Sequence, residues 1–258
     1  FQVKAIDDIT AEAVTGHRRI ILQCPTGGGK TVIAAHIIRH AVSNGKHVVF
    51  LAHRRELIWQ TQEKLEAFGV THGTLIAGET YDKTHNVCVA SIGTFYSRVV
   101  KRKKVEIPKA DLVIVDEIHH CFSSDTWQKI LDEYPKSMIL GLTATPINVR
   151  GYGMQHVADA LVTCPSIQKL TDDGYLVPAR YFCPSTPDLE KLHMVAGDYN
   201  QKELEERVDR PKLIGDILEN WSRIASDRKT IVFATSVKHS MAICAGFKSI
   251  GVKAEHID

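Results

Sequence analysis

The chain has 258 residues, 44% of them hydrophobic and 24% charged, and a net charge of +2 from 32 Lys and Arg against 30 Asp and Glu. This composition argues against a disordered or collagen-like chain, and no run approaches the ~18 consecutive apolar residues of a membrane span. The length allows one large domain or two modest ones at about 100–200 residues each. A charge so near zero leaves a nucleic-acid partner undecided until the charges are located.

The first 150 residues alternate strand-like and helix-like runs. Ile20 to Cys24 reads as a short buried strand, and a Gly-rich turn leads into a helix from Thr31 to Ala41 that ends at Asn44-Gly45. His47 to Leu51 is the next strand, and Glu56 to Phe68 the next helix, stopped by Gly69. Val87 to Ala90, Asp111 to Val115 and Met138 to Leu142 complete the strands. Their apolar runs are continuous rather than alternating, the pattern of strands covered on both faces, so the expected fold class is α/β with a parallel sheet and helices on both faces.

Prolines then gather at Pro165, Pro178, Pro184 and Pro187, which predicts a connector over roughly 145–178. A long helical region is expected from about Asp188 to Ala225. A strand at Thr230 to Ala234, a helix at Val237 to Ile250 and a strand at Gly251 to Ile257 follow. One such unit is not a full doubly wound domain, so the expected organisation is a complete domain over 1–160 and a truncated second one over 161–258.

Cys24, Cys88, Cys121, Cys164, Cys183 and Cys244 form no C-x-x-C pair and read as reduced thiols. His36 and His40 share helical spacing but have no acidic or thiol partner, so a metal role is not assigned to them.

Thr26-Gly27-Gly28-Gly29-Lys30-Thr31 lies between a buried strand and a helix. Glycines there let backbone N–H groups turn onto phosphate oxygens, and the helix start adds partial positive charge. Lys30 would reach the β- and γ-phosphates and the Thr31 hydroxyl would bind Mg²⁺. The strict phosphate-loop pattern has Gly where this chain has Cys24. Asp116 and Glu117 follow the apolar run from Leu112, at the carboxyl edge where ligands of such sheets bind. Asp116 is assigned to hold Mg²⁺ and Glu117 to orient or deprotonate the attacking water.

With Asp116-Glu117-Ile118-His119 and Thr143-Ala144-Thr145-Pro146, in this order and spacing, the chain resembles superfamily 2 helicases of the DExH type. Leu51 to Leu57, including Arg54 and Arg55, looks like their motif Ia. Ala90 to Thr94 looks like the next nucleic-acid-contacting motif, and Thr230 to Ser236 like the motif opening a second RecA-like domain. Within that family the chain most resembles RadD-like and XPB-like DNA-repair translocases. The resemblance implies a RecA-like P-loop NTPase fold, ATP and Mg²⁺ as cofactors, and nucleic acid as partner, DNA ahead of RNA.

It also implies residue roles. Gln2 would read the adenine edge with Phe1 beside the base, and His119 would stand with Asp116 and Glu117 in the catalytic segment. Thr143 and Thr145 would couple the γ-phosphate to nucleic acid, and Arg54, Arg55 and Thr94 would touch the strand backbone without reading sequence. Lys101-Arg102-Lys103-Lys104 reads equally as a solvated loop or a phosphate track. Trp59 and Trp127 read as core. Full members carry arginine fingers late in the second domain. No Gln-x-x-Gly-Arg-x-x-Arg string occurs here, so the 258 residues are expected to bind ATP·Mg²⁺ but hydrolyse it poorly. No membrane association is expected, and the place of action would be the cytoplasm, on the nucleoid in a bacterium. Competing readings are a restriction-system motor, a non-hydrolysing binding module, and a P-loop ATPase outside the helicases.

Overall fold

A computed structural model describes residues 1–123, 125–147, 153–154, 157–182, 193–195, 198–200, 203 and 211–257. Contacts divide the chain into two compact units, Phe1–Pro178 and Ala179–Asp258.

In the first unit α1 (Gln2–Val14) precedes β1 (Arg19–Gln23), α2 (Lys30–Ser43), β2 (Val48–Ala52), α3 (Arg55–Ala67) and β3 (Gly73–Leu75). Then come β4 (Val87–Ser91), α4 (Ile92–Phe95), β5 (Leu112–Asp116), α5 (Asp125–Leu131), β6 (Met138–Thr143), β7 (Ala160–Thr163) and α6 (Ile167–Asp172). The seven strands form one parallel sheet in the order β3-β4-β2-β5-β6-β1-β7. This is the α/β architecture expected of a RecA-like domain.

The continuous apolar runs have the expected cause. Ile20, Leu22, Val48, Phe50, Ile114 and Leu140 point into one buried layer beneath α1, α2 and α3. The intervening Ile21, Val49, Leu51, Val113 and Val115 point into the other, with Phe95, Trp127 and Ile130. Both faces of each central strand therefore lose contact with water. Trp127 is core, but Trp59 is 48% exposed; helical spacing alone does not say which face of α3 turns inward.

Three elements add to the sequence reading. Gln2 to Val14 is a helix that docks Ala5 and Ile9 into the core. Gly73–Leu75 adds an edge strand beside β4. Ala160–Thr163 pairs with β1 in register Gln23↔Thr163, so the first unit continues past residue 160 and includes α6.

The second unit departs further from expectation. Met194–Val195 pairs antiparallel with Asp198–Tyr199 inside the region expected to be helical. Helix is found at Pro211–Ile224, whereas residues 188–192, 196–197, 201–202 and 204–210 of the expected helical region lie outside the described residues. Helix Val237–Ser249 forms as expected, with the Ser236 hydroxyl accepting from the His239 N–H. Thr230 to Ala234 and Gly251 to Ile257 carry no ladder pairing among the described residues. A strand needs a neighbour at hydrogen-bonding distance, and here the segments instead line a cavity of about 440 Å³ with Trp221 and Phe247. Phe233 is 93% exposed beside it. No described helix is long and apolar enough to cross a membrane.

Candidate nucleotide and strand site

Strand order brings the separated motifs together. β6 lies between β5 and β1, so the ends of these three strands place Asp116, Thr143 and the glycine turn side by side at the carboxyl edge. Register pairs Asp116 with Leu142 and Gln23 with Thr143.

The turn after β1 uses its glycines specifically. Gly27 and Gly29 have φ of +81° and +84°, a region that side chains strain to enter. Gly29 caps α2, its carbonyl accepting from the N–H groups of Val32 and Ile33. Gly28 is required for space: a Cβ there would stand 2.6 Å from the Cys24 sulfur and 3.0 Å from the Pro25 carbonyl oxygen. Cys24, which replaces the pattern's first glycine, thus fills the floor of the turn.

Lys30 opens α2 and reaches back to the Cys24 carbonyl at 3.4 Å. Its ammonium lies 3.9 Å from Glu117 Oε1. Asp116 is buried, and burial first and the Glu117 charge second push its carboxyl up to about 6; the Glu117 N–H and the Lys30 charge act in the opposite direction. Glu117 itself sits at φ +49°. A non-glycine residue in that region costs on the order of 1–3 kcal/mol and persists where surrounding structure imposes it. The turn aims the Glu117 carboxylate back over Lys30.

His119 follows in a 3-10 turn, with Nδ1 2.8 Å from Thr143 Oγ1 and 3.4 Å from Glu117 Oε2. The Thr143 hydroxyl donates to the Thr145 carbonyl and accepts from the Thr145 N–H, both at 3.0 Å. With its own proton committed, that hydroxyl accepts from His119, which assigns the ring proton to Nδ1. Burial, then the neighbouring His120, holds the His119 pKa below the usual imidazole range.

Gln2 donates to the Gly28 carbonyl at 3.3 Å, and its amide occupies the space that a Cβ on Gly29 would need. Phe1 meets Tyr175 edge to face at 5.1 Å, and Leu176 closes on Gly27. Tyr175 escaped the sequence reading because it follows α6, far from any motif.

The expected strand-contacting residues lie along the same edge, after β2 and β4. Arg54 is exposed at the start of α3. Arg55 donates to the Ala77 carbonyl at 2.8 Å and stacks over the Trp59 ring at 5.8 Å, which accounts for that exposed tryptophan. Thr94 is only 9% exposed and its hydroxyl accepts from Ser91, so it sits beneath the surface. The last residue of the basic run goes elsewhere. Lys104 lines a cavity with His47 and Asn86, which precede β2 and β4, so that residue lies at the opposite, amino edge of the sheet.

Residues 1–148 match the family model described as type III restriction enzyme, res subunit. The chain is 28% identical over 256 residues to the "Putative mitochondrial ATP-dependent helicase irc3" of Schizosaccharomyces pombe, covering 93% of this chain and 41% of that protein. It is 29% identical over 266 residues to the type I restriction enzyme EcoAI endonuclease subunit of Escherichia coli, covering 93% and 33%. The chain therefore spans less than half the length of these relatives. Among solved structures, the fragment of a putative HsdR subunit of a type I restriction enzyme from Vibrio vulnificus shares the fold. Its TM-score is 0.68 at 22% identity, covering 97% of this chain and 45% of that one.

Proposed function

The chain belongs to the family of the type III restriction enzyme res subunit, among the superfamily 2 helicases, and from that premise we propose that it is the motor portion of a DExH-type, ATP-dependent DNA translocase of the kind that RadD-like and XPB-like repair helicases represent. The observation that carries this reading is the convergence of Lys30, Asp116, Glu117 and Thr143 at one sheet edge, with Arg54 and Arg55 along the same edge. Lys30 and the glycine turn hold phosphates, Gln2 reads the adenine edge, and Phe1 with Tyr175 flanks the base. Glu117 takes the proton of the attacking water. Thr143 and Thr145 transmit nucleotide state through His119, and Arg54 and Arg55 hold the DNA backbone, with Thr94 supporting that surface from below.

The residues suit Mg²⁺. Asp116 and Thr31 offer hard oxygen donors, and burial first and the Glu117 charge second raise the Asp116 carboxyl, which Lys30 only partly offsets. Among the described residues no cluster of three or more His, Cys, Asp or Glu could hold a metal by itself. Two protein donors completed by phosphates and water is the usual manner of binding Mg²⁺ at a nucleotide. When bound, the ion would neutralise phosphate charge.

The family match and the EcoAI relative support a second reading, a DNA-translocating subunit of a restriction system, which shares the same motor residues. In either case residues 1–258 alone should turn over ATP slowly, because they contain no Gln-x-x-Gly-Arg-x-x-Arg string. The test is the ATPase rate of the full-length protein with single-stranded DNA, duplex DNA or RNA, and with none. Stimulation by DNA supports the reading, stimulation by RNA alone moves the substrate to RNA, and no stimulation by any of them removes the motor assignment.

A further inference from the structure

His53 and His120 belong to none of the motifs' assigned roles, yet they touch. β2 and β5 are adjacent and in register through Leu51↔Val115, so the residues just past their ends meet. The ring of His53 lies 5.0 Å from that of His120, and the ring of His120 lies 4.1 Å from that of His119. His119 in turn contacts Glu117 and Thr143. At the other end His53 is joined directly to Arg54, which precedes Arg55. Both His53 and His120 are exposed, so their contact answers no demand of the core.

We propose that His53 and His120 are positioning residues, forming with His119 a contiguous path through which a DNA strand held at Arg54 and Arg55 sets the aim of Glu117. The proposal rests on the motor reading above. Its physical basis is the state of Glu117. Oε1 faces Lys30 at 3.9 Å and Oε2 faces His119 at 3.4 Å, so the carboxylate is shared between a cation and a ring. A displacement of His119 changes that share. Glu117 also sits at φ +49°, at the junction between β5 and the 3-10 turn that carries His119 and His120. A short turn entered through a strained residue is a place where a small push re-aims a side chain. Moving His53 with the strand delivers that push to His120.

The experiment uses the full-length protein as wild type, His53→Ala, His120→Ala, the double variant, and His53→Phe. ATPase rates are read with and without oligothymidylate, alongside nucleotide and DNA affinities. Coupling between two sites usually corresponds to a factor of about 5–150. We expect each alanine variant to lose about tenfold in DNA-stimulated kcat, within that range, without loss of DNA affinity. The double variant should be no worse than either single one, as holds for residues acting through one contact. His53→Phe keeps a ring against His120 and should retain most of the stimulation. Because both rings are exposed, the alanine variants should melt as the wild type does. Wild-type stimulation in His53→Ala overturns the proposal, as do losses that multiply in the double variant. A defect confined to DNA affinity also overturns it and makes His53 a strand contact. If the wild type itself is not stimulated by DNA, the motor reading fails and the path fails with it.

Discussion

Nδ1 of His119 lies 2.8 Å from Oγ1 of Thr143, a bond between the turn after β5 and the end of β6. Thr143 is fully buried, and its hydroxyl also binds both the N–H and the carbonyl of Thr145. Thr143→Val keeps the shape and removes the oxygen. It leaves polar groups of His119 and Thr145 short of a partner, a penalty of about 1–3 kcal/mol. We expect chemical denaturation to show a loss in that range. A variant as stable as the wild type would mean that water replaces the hydroxyl freely and that the bond does not tie the two strands' ends.

In the proposed function Lys30 is the cation that meets phosphates at the turn after β1. Lys30→Ala removes it and leaves Asp116 and Glu117 facing the same space without its charge. A hydrogen bond to a charged group contributes about 1.5–3 kcal/mol, so nucleotide affinity should fall by roughly 10–150-fold or more. Isothermal calorimetry with ATP and Mg²⁺ reads this directly, and unchanged affinity would sink the phosphate-turn assignment.

Glu117→Gln separates binding from chemistry. The amide keeps the size of the side chain but cannot take a proton, and loss of a general base typically costs about 10²–10⁴ in rate. Because the Glu117 charge is the second cause of the raised Asp116 carboxyl, its removal should also bring that group down toward its ordinary value. We therefore expect ATP to bind at least as well as in the wild type while turnover of the DNA-stimulated full-length protein collapses. Wild-type turnover in this variant would exclude Glu117 as the water-activating residue.

The parts of the site that could be read in advance are those where local chemistry and position in a buried strand coincide. Lys30 follows three glycines at a strand-to-helix turn, and Asp116 ends an apolar run, so each announces both its residue type and its edge of the sheet. The basic run from Lys101 to Lys104 announces charge without position, and only the fold carries Lys104 to the edge away from the nucleotide turn. The resemblance gives Thr94 its role, but not its burial or its bond to Ser91, which belong to the fold. His53, Tyr175 and Trp59 acquire their neighbours through strand order and helix facing, which are tertiary facts. The same holds for β7: Ala160 to Thr163 is too short to stand out until it pairs with β1. In the second half, Thr230 to Ala234 has the composition of a strand, but composition supplies no hydrogen-bonding neighbour.

Asp159 shows how far from the site its foundation is laid. Its carboxylate accepts from the N–H groups of Arg18 and Arg19, each at 2.8 Å, and so fixes the start of β1 against the start of β7. These backbone bonds, that of Arg19 first, hold its pKa below the ordinary aspartate value of 3.8, against a small opposing effect of burial. A carboxyl whose folded pKa is lowered adds stability that is present above the unfolded value and is lost as pH falls through the folded one. The residue is exposed, so the contribution is modest, about 1 kcal/mol for Asp159→Ala at neutral pH. Urea midpoints of wild type and variant should differ at neutral pH and converge as pH falls below 3.8. Equal midpoints at neutral pH would assign the anchoring to the backbone pairing of β1 with β7 alone, and a gap that persists undiminished in acid would assign it to side-chain contacts that do not depend on the carboxylate charge. In the first case β1, and the turn that leads from it to Lys30, would owe their position to the strand ladder and not to this carboxylate.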